Sequence, residues 1–112
     1  MDRIASVIIL DAATATGAGE AHSPNKSKMS FYAYGTTSSG AGASVIRIEA
    51  NNESLSAADG KWVALGSITL TLGTTVTSDG FVIDAPWNFI RAYVVSISGT
   101  NASVSAYMGV EI

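Results

Sequence analysis

The sequence predicts an all-β fold: a single-domain, jelly-roll-like β-sandwich of about eight strands. Three observations predict it. Short apolar segments alternate with polar residues at a period of two, and Gly- and Asn-rich turns separate them at regular spacing. No segment shows the periodicity of an amphipathic helix, and no repeat has the length of a solenoid unit. A chain of 112 residues is one domain in size. Folding at this size buries roughly 65% of the unfolded surface, enough for one core without staples. The expected organisation is one sandwich domain over 1–112, with an N-terminal strand or arm and a long loop over 1–28 and the sandwich body over 29–112.

Ile4–Leu10 is an apolar run, too short to span a bilayer. With Ala13-Thr14-Ala15 it faintly matches a cleaved leader. Asp2 stands where such a leader carries positive charge, so no cleavage is expected. The run reads as a strand buried on both faces or pairing with a neighbouring subunit. Ala12–Lys28 is rich in Ala, Thr, Gly, Ser and Asn, contains Pro24, and reads as a long loop. In Met29–Thr37, Met29, Phe31 and Ala33 alternate with Ser30, Tyr32 and Tyr34, which is a strand with one core face.

A turn at Ser38–Gly42 and a strand at Ala43–Ala50 follow. Asn51–Gly60 is polar, with a short helical turn over Ser54–Ala58, and Asp59-Gly60 is a hairpin signal before Lys61–Leu65. Gly66 separates that strand from Ser67–Leu72. Gly73–Ser78 is a loop, Asp79-Gly80 opens Phe81–Asp84, and Ala85-Pro86-Trp87 turns the chain again. Phe89–Ser98 and Ala102–Ile112 are expected to fold back on each other at Gly99-Thr100-Asn101, as a hairpin that the other strands cover. Val104, Ala106, Met108, Val110 and Ile112 alternate with Ser103, Ser105, Tyr107, Gly109 and Glu111. In the first of these strands Ile97 falls out of phase with Ile90, Ala92 and Val94, which places a bulge near Val95–Ser96.

Composition narrows the function classes. The net charge of −3 argues against a nucleic-acid surface, and no segment suits a membrane. Without cysteine there is neither a disulfide nor a thiolate metal site. Charged residues make up 13%, against about 25% in ordinary globular proteins, while 47% of the chain is hydrophobic, which argues against disorder. A surface with so few charges is poorly protected against association. Coverage by other subunits is therefore expected, as a homodimer or higher homo-oligomer, with a neutral monomer as the alternative. The residues expected at an interface between chains are Ile4, Val7, Ile8, Ile9 and Leu10, with His22 and Pro24 of the loop.

No catalytic, cofactor-binding or metal-ligating residues are assigned. His22, the single histidine, has no nucleophile-elbow pattern near it and reads as a solvated loop residue. The carboxylates are scattered singly, without the spacing of a calcium loop, although calcium at a sandwich rim stays open as an alternative. Asp59 and Asp79 precede glycines, and turn chemistry explains them. Gly17-Ala18-Gly19 and Gly40-Ala41-Gly42 do not continue into a phosphate-binding fingerprint. The Asn-x-Ser patterns at Asn25, Asn52 and Asn101 are chance matches in a Ser-rich chain. The aromatic group Trp62, Trp87, Tyr32, Tyr34, Tyr93 and Tyr107 can plug the core, anchor a protein interface or stack on sugars. The candidate aromatic platform is Trp62, Trp87, Tyr93 and Tyr107.

Lys61-Trp62-Val63-Ala64-Leu65, Asp79-Gly80-Phe81, the run Trp87–Val94, Ser96–Thr100 and the closing strand Val104–Val110 together carry a resemblance. The segment 61–112 resembles the C-terminal part of small virion proteins of tailed bacteriophages, among which are jelly-roll capsid cement or decoration proteins of this length. The N-terminal half lies outside the match, and no position-specific shell-contact residues carry over. The resemblance implies a non-enzymatic subunit on the outer capsid surface of a virion, binding the major capsid protein and often dimeric. The alternatives are a carbohydrate-binding module and a tail, neck or fibre component.

Overall fold

The computed structural model describes residues 4–24, 26 and 28–111, and of Ile4 and Glu111 only the backbone. Met1-Asp2-Arg3, Asn25 and Ser27 of the first Asn-x-Ser pattern, and the expected last core residue Ile112 lie outside the described residues. Among the described residues eight strands follow in order: β1 (Ile4–Ala13), β2 (Gly17–Ala18), β3 (Lys28–Thr36), β4 (Ser39–Asn51), β5 (Val63–Leu72), β6 (Thr77–Asp84), β7 (Phe89–Thr100) and β8 (Ser103–Glu111). They form two antiparallel four-stranded sheets, sheet A in the order β1-β8-β3-β6 and sheet B in the order β2-β7-β4-β5. The chain crosses between the sheets at every connection except β4–β5. That is the interleaved Greek-key order of a jelly roll, so the all-β, eight-stranded sandwich read from the sequence is the observed fold.

Period-two alternation sets the faces. Met29, Phe31 and Ala33 of β3 and Val104, Ala106, Met108 and Val110 of β8 point inward from sheet A. They meet Ile46, Ile48 and Ala50 of β4, Ile68, Leu70 and Leu72 of β5, and Ile90, Ala92 and Val94 of β7 from sheet B. Each fully buried aliphatic side chain stabilises the fold by about 1.5–3 kcal/mol relative to exposure, and this layer holds the sheets together. The bulge expected near Val95 is present: Val45 pairs with Ser96 and Ile46 with Val94, which leaves Val95 as the extra residue.

The structure corrects several readings. β7 and β8 do not pair with each other, because they lie in opposite sheets. Gly99 (φ 119°) and Asn101 (φ 51°) turn the chain across the sandwich, and each strand is central in its own sheet, flanked on both sides. Gly66 does not end a strand. β5 runs through it with a bulge at Leu65, and a Cβ on Gly66 would stand 2.9 Å from the Phe81 ring, so the glycine makes room for packing. Asp59-Gly60 opens a 3₁₀ turn (Asp59–Lys61) at the end of a longer connection between the paired strands β4 and β5.

The N-terminal segment, expected as a strand or arm, is a strand of this chain's own sheet. β1 pairs along β8 from Ile4 to Ala13, and Ile9 and Leu10 are 1% and 6% exposed in this chain's own core. The loop after it is laced onto β7: Gly17 and Ala18 pair with Val94 and Tyr93, the Gly19 N–H donates to the Ala92 carbonyl, and His22 exchanges backbone hydrogen bonds with Ile90.

Candidate functional site

The outer faces of the two sheets are treated differently. On sheet B, Arg47 and Glu49 of β4 lie beside Tyr93 and Arg91 of β7, and the connection 52–62 folds over them. The Glu49 carboxylate accepts from Arg91 Nε at 2.8 Å through one oxygen and from Arg47 Nε at 2.7 Å through the other. Arg91 Nη1 reaches Asp59 at 3.1 Å, and its guanidinium lies 4.4 Å from the centre of the Trp62 ring. The Trp62 indole N–H donates to the Ala57 carbonyl at 3.0 Å, and Trp62 is buried. Both oxygens of Glu49 thus accept from guanidinium groups. The cluster clamps the connection to the sheet.

On sheet A, among the described residues, no connection folds over the equivalent face, and only its Ser105 end is covered, by the Ala12 N–H of the β1 bulge. The alternation that sends Phe31 and Ala33 inward sends Tyr32 and Tyr34 outward, and the β3–β8 register sets Tyr107 directly opposite Tyr32. Ile8 of β1 stands opposite Tyr107, Gly80 of β6 opposite Tyr32, and Val82 opposite Ser30. The three tyrosine rings are near-parallel, with centroids 5.6 Å apart for Tyr32–Tyr107, 6.0 Å for Tyr32–Tyr34 and 6.3 Å for Tyr34–Tyr107. Aromatic pairs at such spacing attract by about 0.5–1.5 kcal/mol beyond their area. Tyr32 is 48% exposed, Val82 64% and Ile8 38%, in a field of Ser6, Ser30, Ser78 and Gly109. Charges stand at the margins: Lys28 opposite Asp84 at one end and Asp11 towards Tyr107 at the other.

A hydrogen bond with Tyr34, reinforced by the field of Tyr34, some burial, Tyr32 and Asp11, raises the Tyr107 phenol above its ordinary value near 10. A raised folded-state value favours the folded chain fully below pH about 10, and that contribution is lost as pH rises through the Tyr107 value. An ultraviolet titration should therefore show a phenol step above the ordinary tyrosine range. Tyr107→Phe should remove that late step; a late step that survives would place the shift elsewhere.

The residues singled out from the sequence scatter over the fold. Of those expected between chains, Ile8 is on the open face, Val7 is half-buried against the core, Ile9, Leu10 and Pro24 are buried within the chain, and Ile4 is described only as backbone. His22 is half-buried rather than solvated, and its Nε2 is buried without a hydrogen-bond partner. Of the expected platform, Trp62 is under the clamp, Trp87 packs half-buried on the core, and Tyr93 lies half-buried beside Arg47 and Arg91. Tyr107 alone belongs to the open cluster, joined there by Tyr32 and Tyr34. Their shared outward phase in β3 was the available signal, and the β3–β8 pairing that unites them with Tyr107 was not. Among the described residues no three His, Cys, Asp or Glu side chains converge as a metal-binding group.

No family model matches the chain, and no curated protein matches it. Among solved structures, the crystal structure of the SPBc2 prophage-derived protein YomS superposes with a TM-score of 0.64 at 18% sequence identity. The alignment covers 100% of this chain and 96% of that one. At this identity the likeness is one of fold, end to end.

Proposed function

We propose that this chain is a non-enzymatic structural subunit of a bacteriophage virion, a capsid cement or decoration protein. In this reading it binds the major capsid protein from the outer surface of the shell and stabilises it there, and the outer face of sheet A makes the contact. The observation that carries the reading is the Tyr32–Tyr34–Tyr107 cluster on the outer face of sheet A, which among the described residues lies under no connection and has charge only at its margins. Protein interfaces have this anatomy: an aromatic centre depleted of charge and a polar rim. Tyrosine, serine and glycine together form adaptable recognition surfaces at low entropic cost. The virion assignment is supported by the resemblance of 61–112 to small virion proteins and by the prophage origin of the structural neighbour.

Four strands about 4.8 Å apart, with eight residues each at about 3.3 Å, present a face of roughly 500 Å². A standard interface uses about 800 Å² per partner, so one such contact is modest. Repetition over a shell lattice multiplies modest contacts when copies are linked.

The test adds the purified chain to capsid shells that lack it and measures co-sedimentation. Saturable loading at a fixed ratio is expected, weakened about 30-fold or more in Tyr32→Ser/Tyr107→Ser with the β-rich circular dichroism unchanged. Loading that the variant leaves intact would remove the tyrosine face from the assignment. A chain that ignores shells but binds a glycan array, and loses that binding in the same variant, would replace the protein partner with a carbohydrate.

A further inference from the structure

We infer that two copies of this chain pair edge to edge through β5, antiparallel about a two-fold axis, and join their B sheets into one continuous eight-stranded sheet. A sheet edge is a row of unpaired main-chain N–H and C=O groups, and natural edges carry guards against accidental pairing. The sandwich has four edges, and three are guarded. β1 has register shifts between Ile8 and Leu10 and between Leu10 and Ala13, with Ala12 at φ 50° and Asp11 exposed. β6 carries two exposed charges on its edge, Asp79 opposite Ala33 and Asp84 at its end. β2 is only two residues long.

β5 is different. Its ten residues, Val63–Leu72, contain no charge and no proline, and past the bulge at Leu65 its pairing with β4 is regular. Its inward side chains Ile68, Leu70 and Leu72 are committed to the core, while Ser67, Thr69 and Thr71 are small, exposed and hydroxyl-bearing. The Thr71 carbonyl accepts from the Thr77 hydroxyl of β6 at 3.1 Å, which shows that Thr71 turns its main-chain groups away from β4. Residues of the same parity, Ser67 and Thr69, do the same. The open stretch is therefore centred on Ser67–Leu70.

The occupant that fits this edge is the same edge of a second copy. Antiparallel pairing of identical strands is self-complementary and closes at two copies. It sets hydroxyl side chains beside hydroxyl side chains, a favourable cross-strand arrangement, and brings no like charges together. Two of the exposed large hydrophobic residues lie at opposite ends of the edge, Val63 (51% exposed) and Val76 (59%). An antiparallel arrangement moves the Val63 end of one copy towards the Val76 end of the other. Head-to-tail growth through β5 onto another edge meets the guards on β1 and β6. The tyrosine face of sheet A stays open on both copies.

The test is the mass in solution across a concentration series, with amide exchange read residue by residue. The wild-type chain should reach twice its mass of 11.5 kDa, with the Ser67 and Thr69 amides slowing as the dimer forms. Thr69→Pro removes an outward N–H without taking one from the β4 ladder, and Thr69→Lys adds an edge guard. Both should remain at the mass of one chain with native circular dichroism, and Thr69→Lys decides alone if the proline variant does not fold. A wild-type chain that stays monomeric, a dimer that survives Thr69→Lys, or open-ended assembly would each overturn the inference.

Discussion

Glu49→Ala is expected to destabilise the fold by about 3–5 kcal/mol, because it leaves a buried guanidinium without its partner. Glu49 is 3% exposed and Arg91 6%. Removing the carboxylate strands the Arg91 Nε–H and frees Arg47, and Asp59, which is largely exposed, can hold only one end of Arg91. Domains of this size are stable by about 5–15 kcal/mol in total, so the variant should have lost roughly a fifth or more of its margin. In urea the midpoint should fall with the slope unchanged, while Arg91→Met/Glu49→Leu should recover much of the loss, since a packed apolar pair avoids desolvating two charges. A loss below about 1 kcal/mol in Glu49→Ala would mean that the pair is solvated and clamps nothing.

The clamp bears on function through the asymmetry it creates. The outer face of sheet B is closed by the chain's own connection, with Trp62 lying over Arg91. The outer face of sheet A carries three tyrosines and, among the described residues, has no such cover. A chain that folds a loop over one sheet and leaves the aromatic face of the other open directs a partner to the open one.

Much of this was legible in the sequence where the information is local. Alternation in β3 and β8 assigned the core faces of Met29–Ala33 and Val104–Val110 correctly, and the phase slip at Ile97 located the Val95 bulge. What failed was long-range. Gly99 and Asn101 supply the same positive φ to a hairpin and to a crossing between sheets, so the turn signal could not say whether β7 and β8 pair. Tyr107 joins Tyr32 only because β8 lies beside β3, a choice made by topology. Trp62 looked like a platform because neither Glu49 nor Arg91 reads from sequence as buried. Gly66 looked like a break because nothing nearby in the chain announces the Phe81 ring above it.

The sharpest separation between an arm and a strand comes from removing the chain through Leu10, which should abolish folding. A detachable contact arm would leave the sandwich intact and lose only binding. In this structure the deletion takes Ile9 and Leu10 out of the core, about 1.5–3 kcal/mol each. It also strips β8 of its outer partner from Ala106 to Glu111 and removes Val7, which stands opposite Met108 and packs against the core. Together these losses rival the whole stability of a domain this size. The truncated chain should therefore show no cooperative urea transition and weak β-type circular dichroism. Adding back a peptide of the missing strand should restore part of the signal, because the gap beside β8 has the length and register of that strand. Native-like dichroism with a sharp transition in the truncated chain would return the segment to the status of an arm. It would also move the search for the partner contact from the tyrosines of sheet A to Ile8 and its neighbours in β1.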